Sequence, residues 1–273
     1  MPLNLLPTQS ILDSNTPMRN EIIALGMYAI SPKLEEAWKT LFLLAAESYP
    51  TLSLPSNIVN STDSEVVLAN RTRLSHICGF PLVEKYATQL MPLCAPNFDI
   101  EGLSGPEYFS YFMVNNNSHV KSVEESDGLV AAVNGVCSHS GMNVLRHEIE
   151  KVHNKGHLEN FFSHMIYSGT HANSIQNLLD GMADIAAIDA ATYCYLQRIN
   201  PELDQLLRIV GKSVKMTSPP LVTHINNPLC DPASFTKILN SALAMLNVKQ
   251  RELLNIKAFS EVSEQDYMPM LAL

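Results

Sequence analysis

Short apolar runs alternate along this chain with longer stretches of helical period. EIIALGMY (21–28) is a compact apolar run ending at Gly26 and Tyr28. Ser31-Pro32 then opens KLEEAWKTLFLLAAE, where Leu34, Trp38, Leu41, Leu44 and Ala45 recur at helical spacing behind a serine cap. The pattern predicts strand, loop and capped helix. By the same grammar EVVLAN (65–70) is a predicted strand, LSHICGFPLVEKYATQ a loop and helix, and LMPLCAP another short strand. YFSYFMVNNN (108–117) and LVAAVNG (129–135) read as strands, the second apolar enough to be covered on both faces. CSHSGMNVLRHEIEKVHNKGH follows, with Val144, Leu145, Ile149 and Val152 forming a helical stripe behind a serine-rich turn. FFSHMIYSG predicts a strand, THANSIQNLLDGMA a helix starting near His171 or Asn173, and DIAAIDAATYCYLQ a strand running into a helix. LLRIVGKSV is the last clear strand before the Pro219-Pro220 break, and SFTKILNSALAMLNVKQRELLNI closes the chain as amphipathic helix.

Strands alternating with helices predict an α/β fold with a largely parallel sheet. With 273 residues, 46% of them hydrophobic, the chain has apolar material for a large core, and its length suits two lobes. Residues 1–20, rich in Pro, Asn, Ser and Thr without a sustained period, are expected to be a poorly ordered lead-in. MPLNLLPTQSILDSN has neither a basic start nor a continuous apolar stretch, so the sequence as it stands predicts a cytoplasmic protein, or a periplasmic one whose signal was removed. A net charge of −9, with no basic run beyond an isolated pair, argues against nucleic acid as a partner. Apolar runs such as Leu41 to Ala46 fall far short of the roughly 20 residues a bilayer span needs, so no membrane insertion is expected. Five cysteines, odd in number, scattered and without a CxxC pair, fit buried thiols better than a disulfide framework or zinc knuckle.

The most informative local feature is Ser138-His139-Ser140-Gly141, between an apolar strand and an amphipathic helix. Two hydroxyls and the unpaired N–H groups of a first helical turn can converge there on an anion, with the positive end of the helix dipole behind them. The same residues would equally serve as a simple N-cap. Thr170-His171, at the start of the next helix, repeats the design, and His171 is either a second anion donor or a cap and packing residue. Asp189 ends an apolar strand, where open α/β sheets place ligand-binding side chains, while Asp184 reads as a turn residue. Gly79-Phe80-Pro81 makes a tight turn that leaves Phe80 free to face a cleft.

The ordered set CGFPL, PEYFSYFMV, LVAAVNGVCSHSGMNVLR and SGTHANSIQNLLDGMADIAAIDAATYCYL resembles the phosphonate-binding (PhnD-like) branch of the type II periplasmic solute-binding proteins of ABC transporters. The resemblance covers roughly residues 22–224. It implies two α/β lobes joined by two crossover strands, with lobe I at 21–105 plus 221–273, lobe II at 106–220, and a ligand held in the cleft between them. It assigns Ser138, His139, Ser140 and His171 to the oxygens of a phosphonate, phosphite or phosphate, and Asp189 to the ligand's amino or other polar tail. Tyr28 would line the opposite lobe, and Tyr108 or Tyr111 would do so from the crossover region. The implied partners are a small phosphorus oxyanion and an ABC permease, or a signalling protein if transport has been lost; no cofactor, metal or catalysis is implied. One departure stands out: His139 occupies the middle of a turn that reads Ser-Thr-Ser in the most regular members, which adds bulk and a titratable group.

Enzymatic readings fare worse. VCSHSGM fails the G-x-S-x-G nucleophile elbow because Ser138 holds the place of its first glycine. HEIEKVHNKGH offers His147, Glu148, His153 and His157, but Lys151 stands where HExxH needs its second histidine, so a solvated helix face is expected. No Walker or GxGxxG loop occurs, which removes the usual nucleotide sites. Type II binding folds also host thiamine-precursor synthases, which keeps an enzyme as the alternative.

Overall fold

The structure, a computed structural model, describes residues 21–152 and 158–273. The predicted lead-in over 1–20, together with His153 and His157, lies outside the described residues. The chain runs through β1 (Ile22–Leu25), α1 (Pro32–Ser48), β2 (Ile58–Val59), β3 (Thr72–His76) and β4 (Leu90–Phe98). It continues with β5 (Glu107–Tyr108), β6 (Ser110–Asn115), β7 (Val130–Val133), α2 (Val144–Val152), β8 (His164–Tyr167), α3 (His171–Leu179) and β9 (Ile185–Asp189). Then come α4 (Ala190–Ile199), β10 (Leu207–Lys212), β11 (Met216–Thr217), β12 (Leu221–His224), α5 (Pro232–Met245), α6 (Val248–Leu254) and β13 (Ile256–Glu261).

Two sheets result. One has six strands in the order β13-β4-β12-β3-β1-β2, the other five in the order β10-β6-β9-β7-β8. The chain passes from the first sheet to the second ahead of β6 and returns after β10, and the two passages pair as the antiparallel ribbon of β5 with β11. Neither sheet is largely parallel. In the first, β1 runs parallel to β2 and β3, but β12 and β4 are antiparallel to their neighbours. In the second, β7 is parallel to β8 and β9, while β6 runs antiparallel to β9 and β10. Strands that return from the other sheet enter in the opposite sense, which a strand–helix alternation read along the sequence does not reveal.

Helix α1 forms as its sequence predicts: Ser31 accepts from the Leu34 N–H, Pro32 fills the first position, and Leu34, Ala37, Trp38, Leu41, Phe42 and Ala45 turn one face inward. That face packs with Phe98, Phe235 and Leu239 in a core reached from the second sheet by Phe109, Ala190, Ala191 and Tyr195. Burial of each large side chain stabilises the fold by about 1.5–3 kcal/mol before chain entropy is counted. The second sheet is likewise covered on both faces, by Val144, Leu145 and Phe161 on one and Ile175, Leu178 and Tyr193 on the other.

One predicted strand differs, and strands lie where none is predicted. Residues 65–70 are not a strand: Ser64–Val67 is a single helical turn capped by Asp63, and the strand comes next, as β3, within the segment read as a loop. Beyond Pro219-Pro220, β12 is a strand that the prediction omits, and β13 follows the closing helix as another. The described residues contain no helix long and apolar enough to cross a membrane.

Candidate ligand-binding site

The site lies where the ends of β7 and β9 and the start of α3 meet the loops after β1 and β3. Ser138 is extended and caps a widened π-type turn, His139–Asn143, its Oγ accepting from the Gly141 N–H at 3.0 Å. That engagement makes Ser138 a cap, so the cap reading holds for Ser138 and not for Ser140. Ser140 Oγ stands 2.8 Å from Nε2 of His171, and Asn134 Nδ2 reaches the same nitrogen at 3.3 Å. His171 is the first residue of α3, whose Thr170 cap accepts from Asn173 N–H at 3.1 Å. Ser110 Oγ holds the Ser140 carbonyl at 2.8 Å and so anchors the turn to β6. Gly141 is required by proximity: a Cβ there would lie 1.7 Å from Asn134 Oδ1.

His139 is fully buried, its ring stacked with Phe80 at 6.3 Å between centroids and tilted against Tyr108 at 6.3 Å. Neither of its ring nitrogens has a partner, and neither do the Tyr108 hydroxyl or Asn134 Oδ1, all of them buried. Buried polar atoms are nearly always hydrogen-bonded, so the unpartnered His139 nitrogens and Tyr108 hydroxyl, in neighbouring rings, mark a place built for a polar group. Burial lowers the pKa of His139 to about 4, with His147 adding to the fall. Burial also lowers His171 to about 4, opposed by the Ala187 carbonyl. Both rings are therefore neutral near pH 7.

Asp189, at the end of β9, caps α4: Oδ1 accepts from Thr192 N–H at 2.8 Å and Oδ2 from the Tyr28 hydroxyl at 3.2 Å. Tyr28 belongs to the loop after β1, so this bond joins the first sheet's side to the second's. Burial raises the carboxyl to about 6, with the Thr192 and Tyr28 hydrogen bonds opposing it. Tyr28 is itself fully enclosed, its ring against His76, Phe98 and Tyr195 at 5.3, 5.0 and 6.1 Å.

Of the predicted residues, Ser140, His139, His171, Phe80 and Tyr108 come together, and Tyr28 and Asp189 form an adjoining pair. Tyr111 does not join them. Its ring packs on Phe109 and Tyr193, with Lys212 Nζ 5.5 Å from its centroid, because alternation along β6 sends its side chain opposite to Ser110. Asn134, Ser110 and Lys85 were not anticipated. Lys85 donates to Cys137 Sγ at 2.9 Å and so ties the turn after β3 to the loop after β7 at the rim. Only Asn134 left a signal, as a polar residue directly behind an apolar strand. The predicted turn role of Asp184 is extended by its Oδ2, which accepts the Val130 N–H at 2.9 Å. No group of three or more His, Cys, Asp and Glu among the described residues could hold a metal ion.

The chain was compared with known proteins. Comparison with curated protein sequences gave no match. Among solved structures, PhnD1 from Prochlorococcus marinus in complex with methylphosphonate superposes with a TM-score of 0.72 at 15% identity, covering 94% of this chain and 97% of that one. The binding protein component of an ABC phosphonate transporter from Pseudomonas aeruginosa gives 0.71 at 16% identity, covering 92% and 84%. A Xanthomonas citri protein bound to chloride gives 0.64 at 15% identity, covering 92% and 96%. These likenesses establish the fold as the two-lobed type II periplasmic-binding-protein fold. The family model described as "ABC transporter, phosphonate, periplasmic substrate-binding protein" matches residues 65–267, a span that contains the 138–143 turn, His171 and Asp189. The chain belongs to the family of periplasmic substrate-binding proteins of ABC phosphonate transporters.

Proposed function

We propose that this protein captures a small phosphorus oxyanion, a phosphonate, phosphite or phosphate, between its two lobes and delivers it to an ABC permease without transforming it. The lobes would be 21–105 plus 221–273 and 106–220, and the working compartment the periplasm, as for the family. The observation that carries this reading is the Ser140 hydroxyl and Asn134 amide against the His171 ring at the N-terminal end of α3, with the unpartnered nitrogens of His139 on the same turn as Ser140. A helix N-terminus favours an anion, and hydrogen bonds to a charged oxygen in a water-poor cleft are about twice as strong as neutral ones.

A serine hydroxyl 2.8 Å from an imidazole is also the geometry of a nucleophile and its base. Such a pair needs a group to orient the base; here Nδ1 of His171 has no hydrogen-bond partner, and both oxygens of Asp189 are engaged by Thr192 and Tyr28. Capture rather than turnover is the better use of this arrangement.

Calorimetric titration with methylphosphonate, phosphite and phosphate tests the reading. Ser140→Ala should cost roughly 1.5–3 kcal/mol of binding, the range for a hydrogen bond to a charged group. Ser138→Ala should instead lose about 1 kcal/mol of folding stability, the worth of a cap, with affinity little changed. Equal affinities for wild type and Ser140→Ala would remove the turn from the site.

A further inference from the structure

We propose that the oxyanion is taken up together with one proton, which comes to rest on His171 and turns the Ser140 hydroxyl toward the ligand. This rests on the reading above and adds its regulation by pH. Nε2 of His171 has two neighbours, Ser140 Oγ at 2.8 Å and Asn134 Nδ2 at 3.3 Å. An amide nitrogen can only donate, so Nε2 accepts from it and carries no proton. The Ser140 hydroxyl hydrogen must then also point at the ring. Its oxygen turns only lone pairs toward the cleft, and the ring's single proton sits on Nδ1, a buried nitrogen without a hydrogen-bond partner. In this state the pair offers an anion no donor.

One proton on Nε2 reverses the arrangement. Nε2–H donates to Ser140 Oγ, the hydroxyl hydrogen is freed for an anion oxygen, and a positive charge stands one hydrogen bond behind it. Asn134 can follow by rotating its amide, which gives its unpartnered Oδ1 a place beside Nε2–H. Lys85, the lysine at the rim of the site, is engaged with Cys137 Sγ, so this proton is the countercharge beside Ser140.

The elements packed around His171 and its helix are the 138–143 turn, β7, β9, and also β6 and α4, which contribute Tyr111 and Tyr193. They bring His139, Asn134, Ala187 and, at the strand end, Asp189; the nearest lysine, Lys85, stands at the rim against Cys137. The influences on the ring are burial, which keeps it neutral, and the Ala187 carbonyl, which opposes that. The positive end of the α3 dipole also disfavours a charged ring, and an arriving anion outweighs both. The balance is protein plus anion plus one proton from solvent giving the complex, so affinity falls as pH rises.

Titration calorimetry with methylphosphonate, in buffers of different ionisation heat at about pH 8, counts the protons: the wild type should take up about one per anion bound. His171→Gln puts a permanent N–H donor near Nε2 and cannot titrate, so it should bind with that uptake abolished, whereas His139→Gln should retain it. The ratio of wild-type to His171→Gln dissociation constants should rise about tenfold per pH unit between roughly pH 6 and 8, the ligand's own ionisation cancelling between the two. Binding by the wild type without uptake would mean that Nε2 already carries the proton, and persistence of the uptake in His171→Gln would place it elsewhere; either overturns the proposal. The wild-type count less that of His171→Gln is the protein's share, and His171→Asn serves in its place should the glutamine variant fail to fold. Absence of binding by methylphosphonate, phosphite and phosphate alike would overturn the site reading, and this proposal with it.

Discussion

The hydrogen bonds of single residues separate the serine that holds the turn from the one that meets His171. Ser138 Oγ accepts from the Gly141 N–H, and Ser140 Oγ stands against Nε2 of His171. The sequence makes these two serines indistinguishable, since each lies within a turn that could cap a helix; only the backbone of the widened turn decides between them. Asn134 could not be assigned either, because its role comes from α3 reaching back across the sheet. Tyr111 was misplaced for a simpler reason: two tyrosines three residues apart gave no register until β6 was known. The close approach of Gly141 to Asn134 yields a prediction at this scale. Gly141→Ala must displace the Asn134 amide, and with it the contact to His171, so oxyanion affinity should fall severalfold in a titration while the urea midpoint falls only modestly. Unchanged affinity would separate Asn134 from the site.

Elements with a strong period were legible, and those defined by distant partners were not. α1, β4, β7, α3, β9 and α4 follow from capping residues and apolar runs that their own segments contain. β3 and β12 are short and flank Cys78-Gly79 and Pro219-Pro220, so local chemistry signals a break while pairing across the sheet makes strands of them. His76, buried at the end of β3, hydrogen-bonds the Pro219 carbonyl at 3.0 Å and secures that pairing. Helix α4 illustrates how an element couples distant regions. It begins at Asp189 in the site and ends with the Tyr195 hydroxyl on the Leu254 carbonyl and Arg198 on Asn255 Oδ1 at 2.6 Å, where α6 terminates in a left-handed residue. Tyr195→Phe keeps the ring but strands a buried carbonyl, and should cost about 1–3 kcal/mol in urea unfolding. Affinity for methylphosphonate should stay within about twofold, since the substitution leaves Asp189 and its cap intact. A loss of affinity with no loss of stability would contradict that division.

For the whole molecule, the sequence conveyed two lobes and the family, but not the mixed direction of the sheets or the charge balance of the interior. Burial lowers His76, His139 and His171 to about 4. An unfolded chain protonates these rings near 6.5, so as pH falls from there toward 4 the unfolded state binds protons that the native state refuses, and stability declines. Asp189 works the other way: raised to about 6, it favours the native state at low pH and loses that contribution as pH rises through 6. Three histidines outweigh one carboxyl, so urea midpoints should fall between about pH 6.5 and 4.5, as the unfolding free energy drops by up to about 1.4 kcal/mol per pH unit for each unopposed ring. His76→Gln should reduce the fall, and a flat profile would contradict the burial of these rings.

The central claim, that a phosphorus oxyanion is the ligand, is tested most directly by thermal unfolding of the purified protein against phosphate, phosphite, methylphosphonate, 2-aminoethylphosphonate and sulfate, each in a concentration series. A ligand at 100 times its Kd adds about 2.7 kcal/mol and should raise the midpoint by several degrees in a protein of this size. A saturable rise is expected with at least one phosphorus compound and a smaller one or none with sulfate. A rise with none of the phosphorus compounds would contradict it.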